Sequence, residues 1–279
     1  MPLPSPSPKV PRAVAALCLI ASAWLAPPAH AADALRQAID GPQRSPANRA
    51  RDAARHPADT LRFFGLSPQQ TVVEIAPGGG WYTEILAPYL RDHGRLVAAH
   101  HATDDPDSAH RRARAQFGDK LAQDPGVYGR VKVATLPSAT TVAPIAPDAS
   151  ADLVLTFRNV HNWIEAGHLD ESLRAFHAVL KPGGVLGVEE HRAPPGTPLA
   201  RTIATGYVTE DFLVERAQAA GFELVARSEV NANPRDTHDH PDGVWSLPPV
   251  LRGGDVGRDA FLAIGESDRM TLKFRKRLR

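Results

Sequence analysis

Of the 279 residues only one is cysteine, Cys18, and it lies in a stretch that the chain is expected to lose. Lys9 and Arg12 make a positive start, residues 13–25 are apolar but too short to span a bilayer, and Ala29-His30-Ala31 is a small-x-small cleavage signal. Together they predict a signal peptide over residues 1–31, cut near Ala31, and export to the periplasm. Leu17 precedes Cys18 where a lipid-attachment signal needs a small residue, so no stable membrane anchor is expected. Without Cys18 the remainder can form neither disulfides nor thiolate metal sites, which suits an oxidising compartment. An excess of charge is missing too. The chain carries 32 Lys+Arg and 31 Asp+Glu, and losing Lys9 and Arg12 brings the net charge near −1. That balance excludes the basic face on which nucleic acid or an anionic membrane would dock. No internal repeat is visible, and the oligomeric state is not legible.

What is present is organised around residues 72–89, VVEIAPGGGWYTEILAPY. Val72, Val73 and Ile75 suit a buried strand with Glu74 near its carboxyl end, and the pattern turns helical from Trp81. Between them Gly78, Gly79 and Gly80 remove the Cβ atoms that would keep a ligand from the backbone. Two readings are open at this point: a cofactor loop, or an ordinary strand-to-helix connection whose glycines only serve positive φ.

Ahead of this stretch, residues 32–66 read as a charged helical cap, with one short helix and then one or two amphipathic helices over 46–64. Behind it, strands over 94–99 (GRLVAA), 130–136, 151–157 (ADLVLTF) and 185–189 alternate with helices over 109–123 and 171–180, with a loop over 137–148. Such alternation means βαβ units and a mainly parallel, doubly wound Rossmann-like sheet over residues 67–279. A helix over 207–220, with Thr209 as N-cap and Gly221 as stop, leads to strands over 222–230 and 269–274 that close the sheet antiparallel to one another. Residues 231–265 read as a long loop or lid.

The order EIAPGGG, GRLVAA, DLVLTF, LKPGGVLGVEEH and AGFELV resembles the class I S-adenosylmethionine-dependent methyltransferase fold, and FRNVHNW with GGGWYTEIL resembles a bacterial family of exported methyltransferase-like proteins. The resemblance implies S-adenosylmethionine as cofactor and Glu74, Ala76, Gly78, Gly79, Gly80, Trp81, Tyr82 and His100 around it. Ala76 stands where many relatives have a glycine. The acid that usually closes the second strand and binds the ribose is absent; His100 occupies its place, and Asp104 or Asp105 follows in the next turn.

Ligand crevices of such sheets lie at the carboxyl ends of the strands, where His100, His161 and His191 each follow a strand. His161 is the candidate general base, with Asn159 and Arg158 orienting substrate or cofactor and Trp163 as an apolar wall. A metal bound by His161, His191, His238 and His240 is the weaker alternative. The expected function is methyl transfer to a small molecule in the cell envelope. The competing expectation is a non-catalytic or repurposed small-ligand binding protein, perhaps holding metal, that keeps the fold.

Overall fold

The computed structural model describes Met1 and residues 29–136 and 144–278. Residues 2–28 of the expected signal segment and residues 137–143 of the expected loop lie outside the described residues. Helices α1 (Ala29–Asp40), α2 (Pro46–Arg49), α3 (Asp52–Arg55) and α4 (Pro57–Phe64) form the amino-terminal cap. The amphipathic pattern over 46–64 is thus three short helices. Ser45 caps α2 by accepting from the Asn48 N–H at 3.1 Å, and His56, before the ring of Pro57, turns to φ 41°.

Next come β1 (Thr71–Ile75), α5 (Thr83–Leu90), β2 (Arg95–His100), α6 (Ser108–Gln123), α7 (Pro125–Tyr128), β3 (Lys132–Thr135), β4 (Ala151–Phe157), α8 (Val160–Glu165), α9 (Leu169–Val179) and β5 (Leu180–His191). The chain ends through α10 (Leu199–Thr205), α11 (Glu210–Ala219), β6 (Phe222–Ser228), α12 (Arg258–Ile264) and β7 (Arg269–Lys276). One seven-stranded sheet has the order β3-β2-β1-β4-β5-β7-β6, and β7 runs antiparallel to both β5 and β6, between them. All other pairs are parallel. Strand order reverses between β1 and β4, which puts the ligand crevice at their carboxyl ends.

Alternate residues feed two cores, as the period of a strand requires. Val73, Ile75 and Val154 pack under α8, α9 and α11 with Trp163, Phe176 and Leu213. Val72, Leu153 and Leu155 face the cap and α5 with Leu61, Phe64 and Leu86. The approach of α4 is close enough that a Cβ on Gly187 would meet the Phe64 ring at 2.6 Å. β5 starts at Leu180, earlier than the strand expected from Val185. A register shift between Ala151 and Leu153 lets Leu180 pair with Ala151 ahead of the turn at Gly183, φ 76°.

Residues 231–248 of the expected loop pack on the fold, with a 3₁₀ turn at Gly243–Ser246, whereas residues 249–263, which run into the helix α12, are mostly exposed. The polar groups of the first part explain why it packs. Buried Asp236 accepts from the Tyr207 hydroxyl at 2.9 Å and from the Asp268 N–H at 2.8 Å, and Asn231 donates to Thr60 Oγ1 at 2.9 Å and Thr271 Oγ1 at 3.0 Å. No helix among the described residues is long and apolar enough to cross a membrane.

Candidate active site

β1 delivers the glycine loop to the crevice. Ala76 follows the strand at φ 46°, its N–H still bonded to the Ala99 carbonyl at 2.8 Å, and Gly78 and Gly80 lie at φ 57° and 79°. A Cβ on Gly78 or Gly79 would meet nothing within 4 Å among the described residues, whereas one on Gly80 would press on Phe117 of α6 at 3.1 Å. The first two glycines therefore keep ligand space free, and the third lets a helix approach. Glu74 is buried and accepts from the Thr83 hydroxyl at 2.6 Å. Burial outweighs that hydrogen bond and pushes its carboxyl up to about 7.

Trp81 turns toward the cap. Its indole donates to the Asn48 carbonyl at 3.0 Å, and the guanidiniums of Arg44 and Arg55 lie over the ring, 4.8 and 4.7 Å from its centre. Tyr82 stacks on Phe157 with centroids 3.6 Å apart and donates to Glu189 at 3.1 Å. His100 sits behind the loop rather than over it. Its Nδ1 accepts from the His101 N–H at 2.8 Å, so Nε2 carries the proton and faces the Gly78 carbonyl at 3.3 Å. Burial lowers its pKa to about 4. A neutral imidazole with both nitrogens engaged has nothing left for a ribose; its part is to hold the loop.

Two cavities flank the point where β1 and β4 end. The larger, about 400 Å³, is lined by His101, Asp105, His110, Leu136 and Trp163, among others. The smaller, about 290 Å³, is lined by Arg51, Arg55, Glu74, Gly78, Gly79 and Arg158 together with Trp81, Tyr82 and Phe157. Ala76 and Asn159 belong to both. Asn159 donates to the Ile75 carbonyl and to Thr156 Oγ1, both at 3.2 Å, and so ties the two strand ends together. Arg158 sits at φ 59°. Two non-glycine residues at positive φ, Ala76 and Arg158, thus terminate neighbouring parallel strands, a strain of about 1–3 kcal/mol each that the surrounding structure must hold.

His161 lies in the first turn of α8 and is buried. Its Nδ1 donates to Glu190 at 3.0 Å, and the same carboxylate accepts from the Val160 N–H at 2.6 Å. Nε2 is then the nitrogen free to take a proton. The ring lies 5.2 Å from His191 and 6.0 Å from Trp245, and it is not among the residues lining either cavity. His191 faces Ser267 Oγ at 2.5 Å; burial, then the neighbouring His161, keeps it neutral, well below the usual histidine range.

The four-histidine metal set does not assemble: His240 is bonded to Asp236 at 2.8 Å and His238 to Asp268 at 3.4 Å. Glu190 takes their place, and His161, Glu190 and His191 bring one donor atom each within 4.8 Å. His101, Asp105 and His110 form a second such group, with the two rings stacked 3.8 Å apart.

Sequence reasoning passed over Glu189 and Glu190, although an acid pair closing a buried strand is itself a signal. It read the cap that carries Arg51 and Arg55 only as charged and helical, and it left the acid after β2 undecided between Asp104 and Asp105. Asp105 lines the larger cavity, while Asp104 is exposed.

Residues 73–188 match the methyltransferase domain family. A crystallised SAM-dependent methyltransferase from Aquifex aeolicus superposes with a TM-score of 0.54 at 15% identity, covering 88% of this chain and 98% of that one. The fold is that of the class I methyltransferases. The (4+2)-cyclase SpnF shares it, with a TM-score of 0.59 at 19% identity over 88% of this chain and 93% of that one. In sequence, the ubiquinone/menaquinone biosynthesis C-methyltransferase UbiE of Ectopseudomonas mendocina is 31% identical over 148 residues, 53% of this chain and 52% of that protein. Acetylserotonin O-methyltransferase of Mus musculus is 29% identical over 202 residues, 71% of this chain and 48% of that protein. The chain spans about half the length of the curated relatives it matches. Both cavities open at the carboxyl ends of β1 and β4, where a class I methyltransferase fold has its crevice.

Proposed function

We propose that the chain binds S-adenosylmethionine across the two cavities and catalyses transfer of its methyl group to a small molecule in the cell envelope. One observation carries this reading: the two cavities share Ala76 and Asn159 at the ends of β1 and β4, and the Cβ-free Gly78 and Gly79 face open space in the smaller one. The larger cavity suits the adenosine, with Asp105 in reach of the ribose hydroxyls in the role His100 does not fill. The smaller one suits the methionine portion, with Glu74 toward its ammonium. S-adenosylmethionine supplies a methyl group on a sulfonium. The chain's own part is to hold the acceptor in line and, for an O or N acceptor, to take its proton. His161 Nε2, oriented by Glu190, is the base we assign; because its ring lines neither cavity, the acceptor's reactive group has to reach it beyond them, and Arg158 and Asn159 orient acceptor or cofactor. The placement in the envelope rests on the pattern of residues 1–31.

A second reading, a repurposed binding protein holding metal, is favoured by the His161, Glu190 and His191 group. Neutral imidazoles and a carboxylate are a donor set for zinc or a similar ion. Equilibrium dialysis separates the two. Retention of labelled S-adenosylmethionine by metal-free protein supports the enzyme; no retention, with one tightly held ion per chain, supports the second reading.

A further inference from the structure

The smaller cavity is backed by a cluster whose charges do not balance. Arg51 Nε meets Glu266 Oε1 at 2.7 Å and Arg55 Nε meets Glu266 Oε2 at 3.2 Å, so the cap is clamped to the segment before β7. Arg269 Nη1 donates to Glu189 Oε1 at 2.8 Å, also lies 3.3 Å from Glu266, and reaches the Ala54 carbonyl through Nη2. Arg158 Nη1 stands 3.6 Å from Glu189 Oε1, beyond a hydrogen bond. Among the described residues, four guanidiniums therefore share two carboxylates, a surplus of two positive charges at largely buried positions. Glu74, which also lines the cavity and titrates near 7, offsets at most part of one.

Burying charge without a partner is costly, and structural ion clusters are ordinarily completed by their counter-ions. Here the donors are not completed. Arg51 Nη2 and Arg158 Nη1 are buried without a hydrogen-bond partner among the described residues, and both arginines line the cavity. Burial, and then the like charge of Arg158, brings Arg55 down to about 9. Against the burial that would raise it, Arg55 and Arg269 hold Glu266 at about 2. A clamp between the cap and β7 needs no such excess. The forked donors of arginine match a carboxylate or a phosphate.

We infer that this cavity is an anion site built for two negative groups, one the carboxylate of the cofactor and the other a carboxylate or phosphate carried by the methyl acceptor. This rests on the methyltransferase reading, and it narrows the acceptor to an anionic small molecule. Arg158 at the end of β4 and Arg51 before α3 hold the acceptor's anion and are its specificity determinants, while Arg55 and the backbone of Gly78 and Gly79, which line the same cavity, are left for the cofactor's carboxylate.

Malonate is the probe, titrated calorimetrically into the protein with and without saturating S-adenosylhomocysteine. The wild-type protein is expected to bind malonate with S-adenosylhomocysteine present. Arg158→Gln and Arg51→Gln, each checked for an unchanged melting profile, are expected to weaken malonate at least tenfold and S-adenosylhomocysteine less than threefold. Two variants are used because Arg51 also bonds Glu266. Malonate that binds only the free protein and is displaced by S-adenosylhomocysteine would assign the arginines to the cofactor alone and overturn the inference. So would malonate binding that both variants leave unchanged, or none at all. If S-adenosylhomocysteine does not bind while malonate binds and both substitutions abolish it, the methyltransferase reading fails and the anion site stands.

Discussion

Glu74 is buried on β1 with the Thr83 hydroxyl as its hydrogen-bond donor. Its carboxyl is raised to about 7 by burial, so its ionisation is disfavoured in the folded chain relative to the unfolded one. The stability this neutral form contributes is complete below the ordinary carboxylate pKa and is lost as pH rises through about 7, on the order of 3 kcal/mol at full ionisation. Glu74→Gln keeps an acceptor for Thr83 and removes the titration. Its melting temperature is therefore expected to gain on the wild type by several degrees between pH 5 and pH 8 in ligand-free protein, and a constant difference would contradict the assignment. For His161, removal of the imidazole in His161→Ala is expected to lower turnover about 10²-fold or more while leaving S-adenosylhomocysteine affinity within a factor of three. A large loss of affinity would move His161 into the cofactor's contacts. The glycine loop was legible in the sequence because strand, loop and helix are consecutive there. The arginine cluster was not, because Arg51, Arg158, Glu189 and Glu266 are scattered along the chain and meet only when the cap folds over the sheet. His100 misled for a related reason: it is the last residue of β2 rather than the one after it, and sequence could not show that the ring turns to the Gly78 carbonyl.

Among the elements, the segment 231–265 differs most from its appearance as a chain. Proline, glycine and histidine made it read as a long loop or lid; its first part is anchored, because Asp236 gathers the Tyr207 hydroxyl, His240 Nε2 and the N–H groups of His238 and Asp268 around one buried carboxylate. Asp236→Ala would leave these donors unpaired. It is expected to cost about 2–4 kcal/mol and to open the exposed stretch around Gly253–Gly257 to limited proteolysis, read as a lower melting temperature and a new cleavage. Retained stability and protease resistance would mean that apolar packing alone fixes the segment. The antiparallel pairing of β6 and β7 followed from their patterns. The insertion of β7 between β5 and β6 did not, because pairing across this long connection is settled by the sheet as a whole. α8 was hidden in FRNVHNW, which is too short for a helical period to show.

At the scale of the molecule, the alternation of apolar strands with helices dictated a doubly wound sheet, and the reversal of strand order between β1 and β4 placed the crevice. Fold was readable because every element states it again; the site was readable only where its residues are neighbours in sequence. On the proposed reading this crevice holds S-adenosylmethionine against a loop kept free of side chains. Gly79 tests it with little disturbance to the fold, since a Cβ there meets no described neighbour and its φ is not in the left-handed region. The most direct measurement is calorimetric titration of S-adenosylhomocysteine into the wild-type protein and into Gly79→Val at matched melting temperature. Saturable one-to-one binding by the wild type, weakened at least tenfold in the variant, is the predicted result. No binding by the wild type, or equal binding by both, would contradict the account.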